Sequence, residues 1–221
     1  MDNIQANLQE VYQRINHACE RSRRKPNDIK LVAVTKGLPA TTIRTAFECG
    51  IRDFGENRIQ EAQGKIEALS DLRSQITWHM VGHVQSNKAR LAAQLFDIIH
   101  SVDSVKLARL LNKQTQETLP VLIQVNVSGE ITKNGFEVGQ VANAIDEINR
   151  LPNLKIAGLM TIAPIADDPE DVRPIFRELR QMRDNLRLEH LSMGMTDDFE
   201  VAIEEGATIV RIGRAIFRNR R

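Results

Sequence analysis

Apolar positions in this chain follow two alternating patterns. From Ile4 to Cys19 the residues Ile4, Leu8, Val11, Ile15, Ala18 and Cys19 recur mostly at three- and four-residue steps, the spacing of an amphipathic helix. Arg21-Ser22-Arg23-Arg24-Lys25-Pro26 ends that helix. This basic run complements the negative end of a helix macrodipole, with anion binding as the alternative. Short β-branched or continuously apolar runs follow at Leu31–Thr35, Ile51–Phe54, Ile76–Gly82, Asp97–Val102, Val121–Val127, Lys155–Ile162, Glu189–Met193 and Ala207–Ile212. Between them lie helical patterns such as Ile59–Leu69, Asn87–Leu95, Val105–Gln116, Val138–Arg150, Pro169–Leu186 and Asp197–Glu205. Gly50 and Gly206 stand where helix C-terminal glycines belong. Runs as continuously apolar as Leu31-Val32-Ala33-Val34 read as parallel strands covered on both faces. The expectation is an α/β chain folded as a single (β/α)8 TIM barrel with an extra N-terminal helix, one domain over residues 1–221. An open doubly wound sheet usually has fewer strands.

Composition narrows the partners. The 221 residues are 42% hydrophobic and 27% charged, which suits a packed globular chain and not a disordered one. The formal net charge of +1 provides no global field for nucleic acid or an anionic membrane. Cys19 and Cys49 show no CxxC or cysteine–histidine spacing and read as reduced structural thiols. Met1-Asp2-Asn3-Ile4-Gln5 lacks the form of a signal peptide, and no stretch approaches the roughly 20 apolar residues that span a bilayer. The expected location is the cytoplasm, where the sequon Asn126-Val127-Ser128 is simply a strand and its exit.

In a barrel of this kind the site lies at the C-terminal ends of the strands, and here those ends are polar. Lys36 closes the first run, at the mouth of a partly dehydrated barrel. There an amine with a lowered pKa can bond a carbonyl as a Schiff base. The alternatives are a lysine that snorkels to the rim or pairs with Glu56. The loops after strands seven and eight suit a phosphate: Ser192, Gly194 and Thr196 offer hydroxyls and close backbone approach, and Gly213-Arg214 opens the short run Ala215-Ile216-Phe217. Thr196 also reads as a cap for the helix beginning at Asp197. Arg211 needs an acceptor inside the barrel, either a structural carboxylate or a heterocyclic nitrogen that a permanent cation would keep unprotonated. His79 and His83 lie four apart on a strand-like segment without an obvious third ligand, so no metal is expected. The basic tail from Arg214 to Arg221 reads as a solvated terminus, and Asp103 and Asp146 as cap or surface residues.

Several segments carry a family resemblance. Val32-Ala33-Val34-Thr35-Lys36, Phe54-Gly55-Glu56-Asn57-Arg58-Ile59-Gln60-Glu61, Trp78 through Lys88, Gln124 through Glu130, Gly158-Leu159-Met160 and Leu191 through Glu200 occur in order. Over residues 30–217 the chain thereby resembles the YggS/PROSC family of pyridoxal 5′-phosphate (PLP) homeostasis proteins. The resemblance implies a barrel like the N-terminal domain of alanine racemase, with PLP held as a Schiff base and no established turnover. By position it implies Lys36 as the PLP lysine and Arg211 as the pyridine-nitrogen partner. It places Ser192, Thr196 and Gly213 in the phosphate region, and Asn57 and Met160 in the pocket lining. The chain departs from the family pattern at Gly37, Arg214 and Arg218, where Thr, a small hydroxylic residue and Gly are usual. Arg214 keeps a backbone N–H there and adds a guanidinium that can make a charge-assisted phosphate contact.

Two-base racemisation needs an acid/base group on the second cofactor face, often a tyrosine. The one tyrosine is Tyr12, in the N-terminal helix. The reading is therefore a PLP carrier or regulator, with PLP and apo PLP-dependent enzymes as partners and a monomeric chain. The alternatives are a PLP-dependent racemase or lyase, and a Schiff-base aldolase acting on a phosphorylated sugar.

Overall fold

The computed structural model describes residues 2–130 and 133–218. The helix α1 (Asp2–Ser22) buries Leu8, Val11, Ile15, Ala18 and Cys19 on one face. It stops where Arg23 turns to φ 55°. The basic run that follows serves a neighbouring helix. The Arg24 guanidinium donates to the carbonyls of Ile203 and Ala207 at 2.7 and 2.6 Å, and Arg21 pairs with Glu204.

Beyond α1 the chain alternates strand and helix. The strands are β1 (Lys30–Val34), β2 (Asp53–Glu56), β3 (Thr77–Met80), β4 (Ile98–Val102), β5 (Leu119–Asn126), β6 (Phe136–Glu137), β7 (Leu154–Met160), β8 (His190–Ser192) and β9 (Ile209–Ile212). The helices are α2 (Ala40–Glu48), α3 (Ile59–Ala68), α4 (Ala89–Leu95), α5 (Val105–Gln114), α6 (Val141–Ile148), α7 (Arg173–Asn185), α8 (Phe199–Glu204) and α9 (Arg214–Phe217). The sheet runs β4-β3-β2-β1-β9-β8-β7-β5 with every pairing parallel, and β4 pairs β5 to close an eight-stranded barrel. All eight expected strands are present. The two-residue β6 is additional and lies beside the end of β5.

Strand parity divides the interior in two. On β1, Leu31 and Ala33 join the large core between sheet and helices, while Val32 joins Leu122, Met160 and Ile209 in a small cluster inside the barrel. On β3, Trp78 and Met80 face the helices and His79 lies between them in sequence. Gly158 lets β7 and β8 approach closely, since a Cβ there would fall 2.0 Å from the carbonyl oxygen of His190. Among the described residues no helix is long and apolar enough to cross a membrane. Both cysteines are free thiols. The tail residues 219–221 lie outside the described residues.

Candidate functional site

A cavity of about 320 Å³ opens at the C-terminal end of the barrel, lined by Lys36, Asn57, Thr196, Arg211, Gly213 and Arg214 among others. These residues follow four different strands, Lys36 after β1, Asn57 after β2, Thr196 after β8, and Arg211, Gly213 and Arg214 on or after β9. They meet because a parallel barrel presents all its strand ends at one rim. The rest of the wall includes Val34, Val81, the Ile162–Ala166 loop and Asp198.

The turn carrying Lys36 differs from expectation. The strand β1 ends at Val34, Thr35 is buried, and Leu38 N–H closes a turn onto the Thr35 carbonyl at 3.1 Å. Gly37 supplies φ 74°. Lys36 lines the cavity but is exposed rather than held in a dehydrated mouth, because the chain turns outward before reaching it. Nor does it pair with Glu56. That carboxylate is fully buried and belongs to Lys65 of α3, at 2.7 Å, and to the Thr35 hydroxyl, at 2.5 Å. The Lys65 ammonium also donates to the Thr35 carbonyl and to Glu61, and Glu61 accepts the Gly37 N–H. Side chains of α3 thus grip the backbone on both sides of Lys36. Burial raises the Glu56 carboxyl above its ordinary value against the pull of Lys65 and Thr35.

Arg211 is buried on β9. Its Nη1 donates to Ser192 Oγ at 2.7 Å and its Nη2 to the Thr161 carbonyl at 2.8 Å. No carboxylate forms an ion pair with it among the described residues, so the structural-carboxylate alternative falls away. Burial lowers its pKa to about 10, with Asp198 acting in the opposite direction, and it remains a cation at neutral pH. Burial raises the Asp198 carboxyl, whose Oδ1 accepts the Met195 N–H.

Thr196 bridges the two last loops. Its hydroxyl accepts the Ala215 N–H at 3.4 Å. It does not cap the helix after it, because α8 starts at Phe199 with Asp198 at the cap position. Gly194, at φ 92°, lies so close to α8 that a Cβ would stand 2.6 Å from Ala202 Cβ. Arg214 opens α9 and pairs with Asp197 at the surface.

Ser192 and Met160 lie apart from the other expected residues. Both are fully buried, and neither lines the cavity. Met160 packs with Val32, Leu122 and Ile209 inside the barrel. The Ser192 hydroxyl contacts His100 Nδ1 at 2.8 Å as well as Arg211, so its side chain faces the barrel interior and not the cavity. No group of three or more metal-ligating side chains exists among the described residues. His79 lies in the interior beside His100, and His83 bonds Asp103 at 2.8 Å. The sequence reading passed over Asp198, Lys65 and the interior contact of His79 with His100. Matching parity on β3 and β4 was the available signal for the two histidines.

Comparisons with known proteins agree with this geometry. A family model described as alanine racemase, N-terminal domain, matches residues 1–220. A protein of Aquifex aeolicus named pyridoxal phosphate homeostasis protein is 46% identical over 223 residues, covering 97% of each chain. The structure of PipY from Synechococcus elongatus with PLP bound matches with a TM-score of 0.84 at 35% identity, over 97% of this chain and 100% of that one. Alanine racemase from Corynebacterium glutamicum shares the fold, with a TM-score of 0.77 at 16% identity, and this chain covers 62% of it.

Proposed function

The chain belongs to the pyridoxal phosphate homeostasis family of alanine racemase N-terminal-domain barrels, and on that footing we propose that it binds PLP in the rim cavity as a Schiff base on Lys36. It acts in intracellular PLP balance, as a cytoplasmic, monomeric carrier or regulator that serves apo PLP-dependent enzymes rather than as a catalyst. The observation that carries the reading is the convergence of an amine, a buried guanidinium and a hydroxyl on one cavity, as Lys36, Arg211 and Thr196.

The cavity chemistry fits the group. Asn57 Oδ1 is buried in the wall without a hydrogen-bond partner, an acceptor left for a bound molecule. Arg211 commits two of its five N–H groups to Ser192 and Thr161, so others remain to donate to a ring nitrogen. Thr196, Gly213 and Arg214 line the same cavity and would hold the phosphate, Arg214 bringing positive charge beside Asp197. When bound, PLP supplies an aldehyde carbon that takes up amines and a ring that draws electrons toward its nitrogen. Lys36 would provide the amine that holds that carbon. Arg211 keeps the ring nitrogen unprotonated, which weakens that electron pull and favours holding over turnover.

Tyr12 supports a binder over a racemase. It is exposed and lines a different cavity among the strand starts Lys30, Asp53, His190 and Ile209, at the far end of the barrel. The test is to add PLP to the apo chain, record the visible spectrum, reduce with borohydride and map the adduct by mass spectrometry. An adduct on Lys36 that disappears in Lys36→Ala is expected. An adduct on another lysine such as Lys88, or none, refutes the proposal.

A further inference from the structure

Five polar side chains form an unbroken line inside the barrel. Arg211 Nη1 meets Ser192 Oγ at 2.7 Å, and Ser192 Oγ meets His100 Nδ1 at 2.8 Å. His100 Nε2 meets His79 Nδ1 at 2.9 Å, and His79 Nε2 meets Asp53 Oδ1 at 2.9 Å. The line starts at the rim cavity, which Arg211 lines, and ends at the cavity among the strand starts, which Asp53 lines. It therefore crosses the barrel from one mouth to the other. Ser192, His79 and His100 have no solvent exposure.

The chemistry of its ends fixes the direction of every proton. Arginine can only donate, so Ser192 Oγ accepts from Arg211. Among the described residues the Ser192 hydroxyl has one other partner, His100 Nδ1, and a buried hydroxyl proton left without an acceptor is costly. Ser192 therefore donates to His100 Nδ1, which puts the His100 proton on Nε2. That proton goes to His79 Nδ1, and the His79 proton, on Nε2, goes to Asp53. An ionised carboxylate can only accept, so the far end agrees with the near end. Burial pushes the Asp53 carboxyl up, but its bonds to His79 and Lys30 outweigh this and hold it below its ordinary range. Complete burial likewise holds His100 well below the usual histidine value; a positive charge on the adjacent His79 would lower it further, as do Arg211 on β9, Lys30 on β1 and His190.

Each link presents its negative end toward Arg211 and its hydrogen toward Asp53. The three neutral side chains are thus oriented dipoles between a buried cation and a distant carboxylate, and such bonds polarise one another. Arg211 thus stays charged in the barrel without an ion-paired carboxylate, with the chain acting beside the attraction of Asp198. A carboxylate in contact would take up its N–H groups and neutralise its field. The chain supports the cation and leaves it free to donate.

We propose that Asp53, His79, His100 and Ser192 are positioning residues, a one-way hydrogen-bond chain that holds Arg211 as a charged donor aimed at the rim cavity. Its role toward the PLP ring nitrogen rests on the function proposed above; the direction of the chain does not.

Two measurements on the full chain separate these. Long-range ¹H–¹⁵N spectra of the ¹⁵N-labelled apo protein read the histidine tautomers. His79 and His100 are both expected to carry a single proton, on Nε2, at pH 7. A proton on Nδ1 of either ring, or a doubly protonated ring, overturns the chain. The second measurement compares binding of PLP with that of its 1-deaza analogue, which has C–H in place of the ring nitrogen. Ser192→Ala is expected to weaken PLP about tenfold, the loss of roughly one hydrogen bond to a charged group, and to leave the analogue nearly unchanged. His100→Leu should behave in the same way, while His100→Gln, which can both accept from Ser192 and donate to His79, restores most of the preference. Equal weakening of both ligands, or a glutamine variant no better than leucine, means the residues only support the fold and overturns the proposal. If neither ligand binds the unaltered chain, the PLP reading fails, and the tautomers alone decide the chain.

Discussion

Replacing Lys65 by methionine tests how the turn that presents Lys36 is held. The Lys65 ammonium makes three hydrogen bonds, to the Thr35 carbonyl, Glu56 and Glu61, and is itself 7% exposed. Methionine keeps most of the apolar stem, so the loss is chiefly electrostatic. Glu56, at 0% exposure, would keep only the Thr35 hydroxyl on Oε1 and nothing on Oε2. Removing one partner of a buried pair costs about 3–5 kcal/mol. The lower figure applies here, because partly exposed Glu61 regains water and Glu56 can take up a proton. For a chain of this length about 3 kcal/mol corresponds to a fall in Tm of roughly 6–12 °C. Because burial raises the folded-state Glu56 carboxyl, its ionisation opposes folding above that raised value, and protonation relieves the strain as the pH falls. The Lys65→Met penalty should therefore be largest near pH 8 and shrink by pH 5.5, in urea unfolding followed by circular dichroism. Adding Glu56→Gln should recover about 2 kcal/mol relative to additive effects. A penalty below about 1 kcal/mol at pH 8, one independent of pH, or strict additivity with Glu56→Gln would refute the reasoning.

Other expectations follow from the same geometry. His100 is held well below the ordinary histidine value, so the unfolded chain binds the extra proton first. Stability is full above the unfolded pKa of about 6.5 and falls below it, by at most about 1.4 kcal/mol per pH unit for this residue; His100→Gln should flatten that slope in denaturation curves between pH 7 and 5. Thr196→Ala should weaken PLP more than pyridoxal in titrations, and equal losses would mean that Thr196 only joins the two loops. Gly194→Ala combines a left-handed backbone with a 2.6 Å clash against Ala202 and should cost about 2 kcal/mol or more, so an unchanged melting curve would contradict the close approach of that loop to α8. Holo-protein incubated with L- and D-amino acids in deuterated water should show no α-hydrogen exchange at enzyme-like rates, and exchange at about 1 per second or faster would favour a racemase or lyase.

Much of the fold was legible because continuously apolar runs alternate with stretches of 3.6-residue apolar period. The strand β6 was not, since two residues carry no period. The regions before α4, α6 and α7 read as helix but begin as 3-10 turns at Ser86–Lys88, Val138–Gln140 and Pro169–Val172, whose apolar spacing is nearly the same. For the site, inspecting strand ends gathered Lys36, Asn57, Thr196, Arg211, Gly213 and Arg214 on one cavity, because barrel geometry turns sequence position into height. Ser192 and Met160 are the last residues of their strands, and the pleat points both side chains into the barrel below the cavity. The grip of Lys65 on Glu56 depends on how α3 packs over β2. The pairing of His79 with His100 depends on the register of β3 against β4, in which His79 lies opposite Ile98. Neither can be read from one segment alone.

The seam between β1 and β9 has a consequence for how the protein is made. These strands pair through Lys30–Ala33 and Ile209–Ile212, and Asn7 of α1 donates to the carbonyls of Ile216 and Arg218 at 3.0 and 2.9 Å. Segments far apart in the order of synthesis are therefore neighbours. Until β9 emerges, β1 has an unpaired parallel edge, Lys36 has no Arg211 across from it, and the apolar face of α1 lacks α8 and α9 to cover it. During synthesis most of the barrel must wait as an open, edge-exposed sheet, the period when strand-to-strand association with other chains is easiest. The rim cavity gains Arg211, Gly213 and Arg214 in its wall only after that strand has closed the ring.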